Sequence, residues 1–291
     1  MRIVVSSNCM TGGLVQALRV LLPAADVKPF PINDPNVDVL NRYLKNADAW
    51  LVSSRELMTS GEVEKSNELR VIPFPTLLFD AFHPDQVYAW LADKSLVQSP
   101  TGPYNSAIAL WAWRQGWTVP ETIKLFTPEI FESLGYHNRW QTAVKNLEQD
   151  FSVFPNLNFH DFFDSLIRSG VFMHTVNHPG IVAIAQLARV LAKQVNPSPN
   201  YSEIPIEPML VDGLLMTSFA WSVYPSIANS LGFTGCFLWK LADHSVIGLE
   251  EFISRSFAMY EVQQPTDIQC QQLERPIYNE VLLPQRRIQT P

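Results

Sequence analysis

The chain has 291 residues, of which 47% are hydrophobic, 11% aromatic and only 17% charged. That apolar content can bury a sizeable core and excludes disorder as the main state. Twenty-one Lys plus Arg against 28 Asp plus Glu leave a net charge of −7, which excludes a general nucleic-acid coat. Residues 2–6 (Arg-Ile-Val-Val-Ser) read as a buried parallel strand rather than the apolar core of a signal peptide. The turn Ser7-Asn8-Cys9-Met10-Thr11-Gly12-Gly13 follows. Leu14, Leu18, Leu21 and Leu22 then repeat at helical spacing until Pro23 stops the helix. Strands are expected at 27–32, 49–52 and 70–74, with a short helix at 37–44. Strand and helix alternate here, which predicts an α/β layer with a small parallel sheet.

From about residue 85 to 193 the pattern is a large helical portion, with helices expected at 104–114, 120–126, 128–134, 139–150, 159–169 and 179–193. Pro120, Pro128 and Pro179 stand at or near first turns, where a missing N–H costs nothing. Residues 213–239 carry no charge over a length that could span a bilayer. Ser218, Pro225, Asn229 and Gly232 within it, and the lack of flanking basic clusters, favour instead a buried helix, a turn around 232–235 and a strand at 236–239. Residues 249–260 read as a helix. The expected organisation is one α/β domain over 1–262 (α/β part about 1–84, helical part about 85–195), then a Gln- and Pro-rich tail, 263–291, lying loosely over the surface.

Cys9, Cys236 and Cys270 are too few and too far apart for a disulfide framework or a zinc ribbon, and the expected compartment is a reducing cytoplasm. Cys9 sits where a strand gives way to a helix. The helix dipole there is expected to lower its thiol pKa. Gly12 and Gly13 leave room for substrate and for backbone N–H groups to hold an oxyanion. His83 lies in Asp80-Ala-Phe-His-Pro-Asp85, where either carboxylate could orient its imidazole. His174 and His178 form a second group. Their spacing of four would suit a metal only on a helix, which Pro179 disfavours, so no metal is expected. Tyr104, Asn105 and Ser106 open an apolar helix with an N-cap arrangement that could also meet a ligand phosphate. Arg114, Lys124, Arg139 and Lys145 are scattered cations. No GxxxxGK[ST], GxGxxG, GxSxG or HExxH motif occurs.

Taken in order, Ser7 to Leu14, Phe82-His83-Pro84-Asp85 with Tyr88, Tyr104-Asn105-Ser106, Gly135-Tyr136, and Phe172-Met173-His174 with Asn177-His178-Pro179 resemble the WcbI family of polysaccharide-biosynthesis proteins. The likeness covers about residues 1–195. That family usually has Gly-Asn-Cys-Gln at the first motif, where Ser7 and Met10 stand here. The resemblance implies an acetyltransferase with a cysteine-containing active site. It would bind coenzyme A or acetyl-CoA as small-molecule acyl donor and a capsule-type saccharide as acceptor. On this reading Cys9, His83 and Asp85 are the catalytic residues, with His83 as base. Asn8, Thr11, Gly12, Gly13, Tyr104, Asn105, Ser106, His174, Asn177 and His178 would contact the carrier. No nucleic acid and no membrane span are expected, and the oligomeric state stays open. Two alternatives use the same residues: a cysteine-dependent ester or thioester hydrolase, and a non-catalytic coenzyme A- or saccharide-binding protein in which Cys9 is merely packed.

Overall fold

The computed structural model describes residues 1–154, 156–198 and 200–288. The chain is mixed α/β and forms two compact units. One comprises residues 1–78, 145–173 and 177–215; the other comprises 79–144, 174–176 and the chain from 216 on.

The first unit is built on a parallel sheet. In chain order it contains β1 (Arg2–Ser6), α1 (Thr11–Leu21), β2 (Asp26–Pro29), α2 (Val37–Leu44), β3 (Ala49–Val52), α3 (Arg55–Thr59) and β4 (Arg70–Pro73). The strand order is β2-β1-β3-β4, with every pair parallel. β1 and β3 are interior strands, and this explains their unbroken apolar runs: Ile3 to Ser6 and Ala49 to Val52 are buried throughout. The edge strand β2 buries only Val27. Val4, Trp50 and Val52 share a face with Phe30, Leu40, Leu44, Val63 and Leu69. That cluster anchors the apolar stripe of α2. The one polar tip within it, Trp50 Nε1, donates to Ser6 Oγ at 2.9 Å. α1 packs on the helix Ile181–Val195, and Gly13 permits that approach. A Cβ there would lie 2.9 Å from Ile184 Cδ1.

The second unit has an aromatic core. Trp239 and Phe252 stack at 4.3 Å, and Trp221 packs edge-on to both. A three-stranded antiparallel sheet (Ala220–Trp221, Leu238–Lys240, Val246–Gly248) underlies them. Helices Ala107–Arg114, Val119–Ile123, Pro128–Ser133 and Leu249–Tyr260 surround it in sequence. Ser106, Thr118 and Thr127 cap three of these with their hydroxyls.

Three expectations change. Residues 104–106 are not helical: Asn105–Ser106 pairs as a strand with Gln86–Val87, and the helix starts at Ala107 because Ser106 is its cap. Pro179 lies in the strand His178–Pro179, and the helix begins two residues later at Ile181, whose N–H is capped by Asp212 Oδ2 at 2.9 Å. The chain after residue 263 is not loose, because Cys270, Leu273, Tyr278 and Leu282 are buried and Pro276–Ile288 is a helix. The uncharged stretch 213–239 breaks into two short helices and two strands. Among the described residues, no helix is long and apolar enough to cross a membrane.

Candidate functional site

The first unit presents the turn after β1. Ligands of open parallel sheets gather beyond the carboxyl ends of the strands, where the strand order reverses. β1 is that point: the chain proceeds first to β2 on one side of it and then to β3 on the other. Thr11 fastens the turn. Its hydroxyl donates to Ser7 O at 2.6 Å and accepts from Ser7 N at 3.1 Å. Asn8 Oδ1 accepts from Met10 N at 3.2 Å, and Ser53, just past β3, donates its hydroxyl to Ser7 Oγ at 2.9 Å. The turn therefore holds Cys9 out, and Cys9 is exposed. Leu14 N–H reaches back to Met10 O at 2.9 Å. The N–H groups of Gly12 and Gly13 have no acceptor among the described residues, as expected of a first helical turn. A Cβ at Gly12 would meet open space.

The expected lowering of the Cys9 thiol is overturned. Desolvation by the surrounding protein pushes its thiol up from its ordinary value, although the residue reaches the surface. The helical cap is Met10, so Cys9 stands one residue outside the cap, and the dipole acts only within the terminal turn. Beside the turn, a cavity of about 390 Å³ opens at the carboxyl ends of β3 and β4, lined by Ser53, Ser54, Arg55, Met58, Pro73 and Phe154 among others. Asn177 and His178 also belong to this unit. Both are half-buried, and they lead into the start of the helix Ile181–Val195.

The second unit presents His83 in a tight turn. His83 N donates to Asp80 O and Gln86 N donates to His83 O, each at 3.0 Å. His83 is 1% exposed, and the preceding Phe82 is pinned by Phe79 and Trp140. The acids proposed to orient its ring have other partners. Asp80 receives Arg139 Nε at 2.9 Å and pairs with the same guanidinium through Nη2. Asp85 is wholly buried and accepts four hydrogen bonds: from Ser106 Oγ at 2.5 Å, Ile108 N at 3.0 Å, Tyr136 OH at 2.9 Å and Tyr224 OH at 2.8 Å. Tyr278 joins through Tyr136, and Gln272 joins through Tyr278 and Pro84 O. Burial pushes the Asp85 carboxyl up to about 6 in spite of these donors, and drives Tyr136 and Tyr224 well above the ordinary phenol range.

The other carrier-contact candidates of this unit are inside it. Asn105 spends its amide on Val97 O, Pro103 O and the Tyr260 hydroxyl. Ser106 both donates to Asp85 and caps its helix. Tyr104 is buried against Tyr88. His174 is half-buried in the strand Met173–Thr175. Of the cations, Arg139 is tied to Asp80 and Arg114 stands 3.8 Å from Glu274. Among the described residues, no three or more metal-ligating side chains gather. The spacing of residues did not point to Ser53, Tyr224 or Tyr278. Their partners lie 46, 139 and 142 positions away, and only Tyr136 carried a signal, through the Gly-Tyr pair of the resemblance.

The sequence profile of the polysaccharide biosynthesis enzyme WcbI matches residues 2–200, more than half of the chain. The chain belongs to the WcbI family. Among curated proteins, none matches the sequence. A solved structure of WcbI, described as a novel polysaccharide biosynthesis enzyme, superposes with a TM-score of 0.70 at 13% identity, over 99% of this chain and 95% of that one. At that identity the likeness establishes a shared fold. That structure is of the native protein without a disulfide bond between coenzyme A and one of its cysteines. The WcbI match includes Cys9, His83, Asp85, Ser106, His174 and His178 and ends before Tyr224, Tyr260 and Tyr278. The tyrosines that complete the Asp85 cluster thus come partly from outside the matched region.

Proposed function

We propose that this WcbI-family chain is a coenzyme A-dependent acyltransferase that carries an acetyl group to a saccharide hydroxyl. The observation that carries the reading is the placement of Cys9: exposed, at the carboxyl end of β1 where the strand order reverses, and followed by a helix start with two N–H groups to spare. The coenzyme A and cysteine named for the solved WcbI add support. The cavity beside the turn has an apolar wall suited to a pantetheine arm and Arg55 suited to a phosphate.

Acylation would run as follows. A general base, the role proposed for His83, takes the Cys9 proton and the sulfur adds to the thioester carbonyl carbon. The carbonyl π pair moves to oxygen and returns as the bond to coenzyme A sulfur breaks. Coenzyme A then leaves with the proton held by the base. In the second half the saccharide hydroxyl adds to acyl-Cys9, giving its proton to the base, and the Cys9 sulfur leaves and takes that proton back as thiol. A thiol pushed upward is mostly protonated at neutral pH, so the first half requires such a base. Asn8, Gly12, Gly13, His174, Asn177 and His178 are assigned to the carrier or acceptor. Thr11, Tyr104, Asn105 and Ser106 serve by holding backbone in place, and Asp85 serves the catalytic turn in the same way.

Calorimetric titration with coenzyme A, followed by rapid-quench measurement of its release from acetyl-CoA, tests the assignment. Wild-type protein should bind and release one equivalent. His83→Gln should slow release by ~10²–10⁴-fold with binding nearly intact. Absence of binding at millimolar ligand and low salt would defeat the reading.

A further inference from the structure

We infer that the Ser53 hydroxyl oxygen receives the N–H of the pantetheine amide nearest the thioester, and so selects donors that carry an amide at that place. The inference rests on the acyl-transfer reading above and names the part of the donor that the cavity beside the Cys9 turn recognises.

Ser53 belongs both to that cavity and to the support of the turn. It follows β3, and its backbone N–H donates to Ser6 O at 2.9 Å, which fixes it against the end of β1. Its hydroxyl donates to Ser7 Oγ at 2.9 Å, and the residue stands in the cavity wall beside Ser54 and Arg55. The direction of that hydroxyl follows from its neighbours. Asn8 Oδ1 accepts Met10 N–H at 3.2 Å, so it is the amide oxygen and accepts only. Ser7 Oγ donates to it at 3.4 Å, which commits the one proton of Ser7. Ser53 must then give its own proton to Ser7. A hydroxyl has one proton and two lone pairs. With its proton committed, and no donor bonded to it among the described residues, Ser53 Oγ has only acceptor capacity left.

Ser54 is left with the complementary half. Its oxygen accepts Leu57 N–H at 3.1 Å as the cap of α3, and its proton has no acceptor among the described residues. A secondary amide asks for one acceptor at its N–H and one donor at its C=O, and the two adjacent hydroxyls supply one of each. Met58, Pro73 and Phe154 offer the apolar contact that the flanking methylenes need. In coenzyme A only two methylenes separate the sulfur from its nearest amide. Ser53 is the wall residue bonded to the turn that carries Cys9, so the amide it would meet is the one closest to the reacting sulfur. A donor with a plain methylene there would cover the Ser53 oxygen without replacing its hydrogen bond to water.

The test compares acetyl-CoA with its synthetic analogue in which CH2 replaces the N–H of the amide nearest sulfur. The single-turnover rate of thiol release, which needs no acceptor, is measured for each at limiting concentration of the donor. Wild type should prefer acetyl-CoA by roughly 3–10-fold. Ser53→Ala should bring the ratio of the two rates close to one, and Ser53→Thr, which keeps a hydroxyl, should retain the preference. Loss of the bond to Ser7 by itself would disturb the turn and slow both donors alike, leaving the ratio unchanged. Equal rates for the two donors in wild type, a comparison that needs no variant, overturn the role of Ser53. So does a preference that survives in folded Ser53→Ala. Failure of wild type to bind coenzyme A or to release it from acetyl-CoA would instead remove the acyl-transfer reading, and this inference with it.

Discussion

The turn after β1 and the cluster around Asp85 are built in opposite ways. From Ser7 to Gly13 the structure is made mostly by neighbours: Thr11 bonds Ser7 and Asn8 bonds Met10, while Ile32 and Ser53 reach Ser7 from afar. Around Asp85 nearly everything comes from a distance, from Ser106, Ile108, Tyr136 and Tyr224. The first arrangement leaves a side chain exposed and backbone donors open; the second leaves nothing open. A short local turn can present a reactive group at small energetic cost. A buried carboxylate must be paid for with many partners, so its removal should be felt by the whole unit.

Removal of Asp85 gives the largest expected effect. Asp85→Ala strands two tyrosine hydroxyls and a serine hydroxyl in the interior and should cost on the order of 3–5 kcal/mol in urea unfolding. Local change at the turn should cost less: Thr11→Val loses the bonds to Ser7 and should cost about 1–2 kcal/mol. A similar loss from both variants would erase the contrast.

The second expectation concerns pH. The folded Asp85 carboxyl is pushed up to about 6 from the ordinary aspartate value of 3.8, so the folded state binds the extra proton between those values. Its contribution is therefore fully present below about 3.8 and lost as pH rises through about 6, amounting to about 3 kcal/mol. Urea unfolding of wild type and Asp85→Asn should show wild type gaining relative stability between pH 7 and pH 4. Wild type losing stability relative to Asp85→Asn on acidification would contradict the origin given for the shift.

The two glycines sharpen the comparison within the turn. Gly13→Ala sets a Cβ against Ile184 and should cost about 1–3 kcal/mol in thermal unfolding. Gly12→Ala meets open space and should stay within about 1 kcal/mol of wild type, on the stabilising side by helix propensity. A carrier that lies against the turn would then register Gly12→Ala as weaker coenzyme A binding without loss of stability.

The same contrast explains what was legible in the sequence. β3 and the helices Val37–Leu44 and Leu249–Tyr260 were readable to the residue, because apolar runs and helical spacing are local signals. The strand–turn–helix that sets out Cys9 was readable for the same reason. The helix at Pro276–Ile288 was not: it carries Pro284 within a Gln- and Pro-rich stretch, and its burial through Tyr278 and Leu282 is a property of packing. Residues 104–106 were misread as helix because Ser106, as cap, marks an end that apolar periodicity alone blurs. The direction of the Cys9 shift differs from expectation because desolvation raises it and one residue separates it from the cap. The acids flanking His83 were close in sequence, but Arg139 and the tyrosines that engage them are far away.

The central claim is that Cys9 carries the acyl group. Incubation of the full chain with acetyl-CoA, acid quenching and mass analysis of its peptides tests this most directly. The account predicts one acetyl group on the peptide holding Cys9, held as a thioester that hydroxylamine removes. It also predicts none on the peptides of Cys236 or Cys270, and none in Cys9→Ser treated alike. Coenzyme A release by wild type with Cys9 never acylated, or undiminished release by Cys9→Ala, would contradict it.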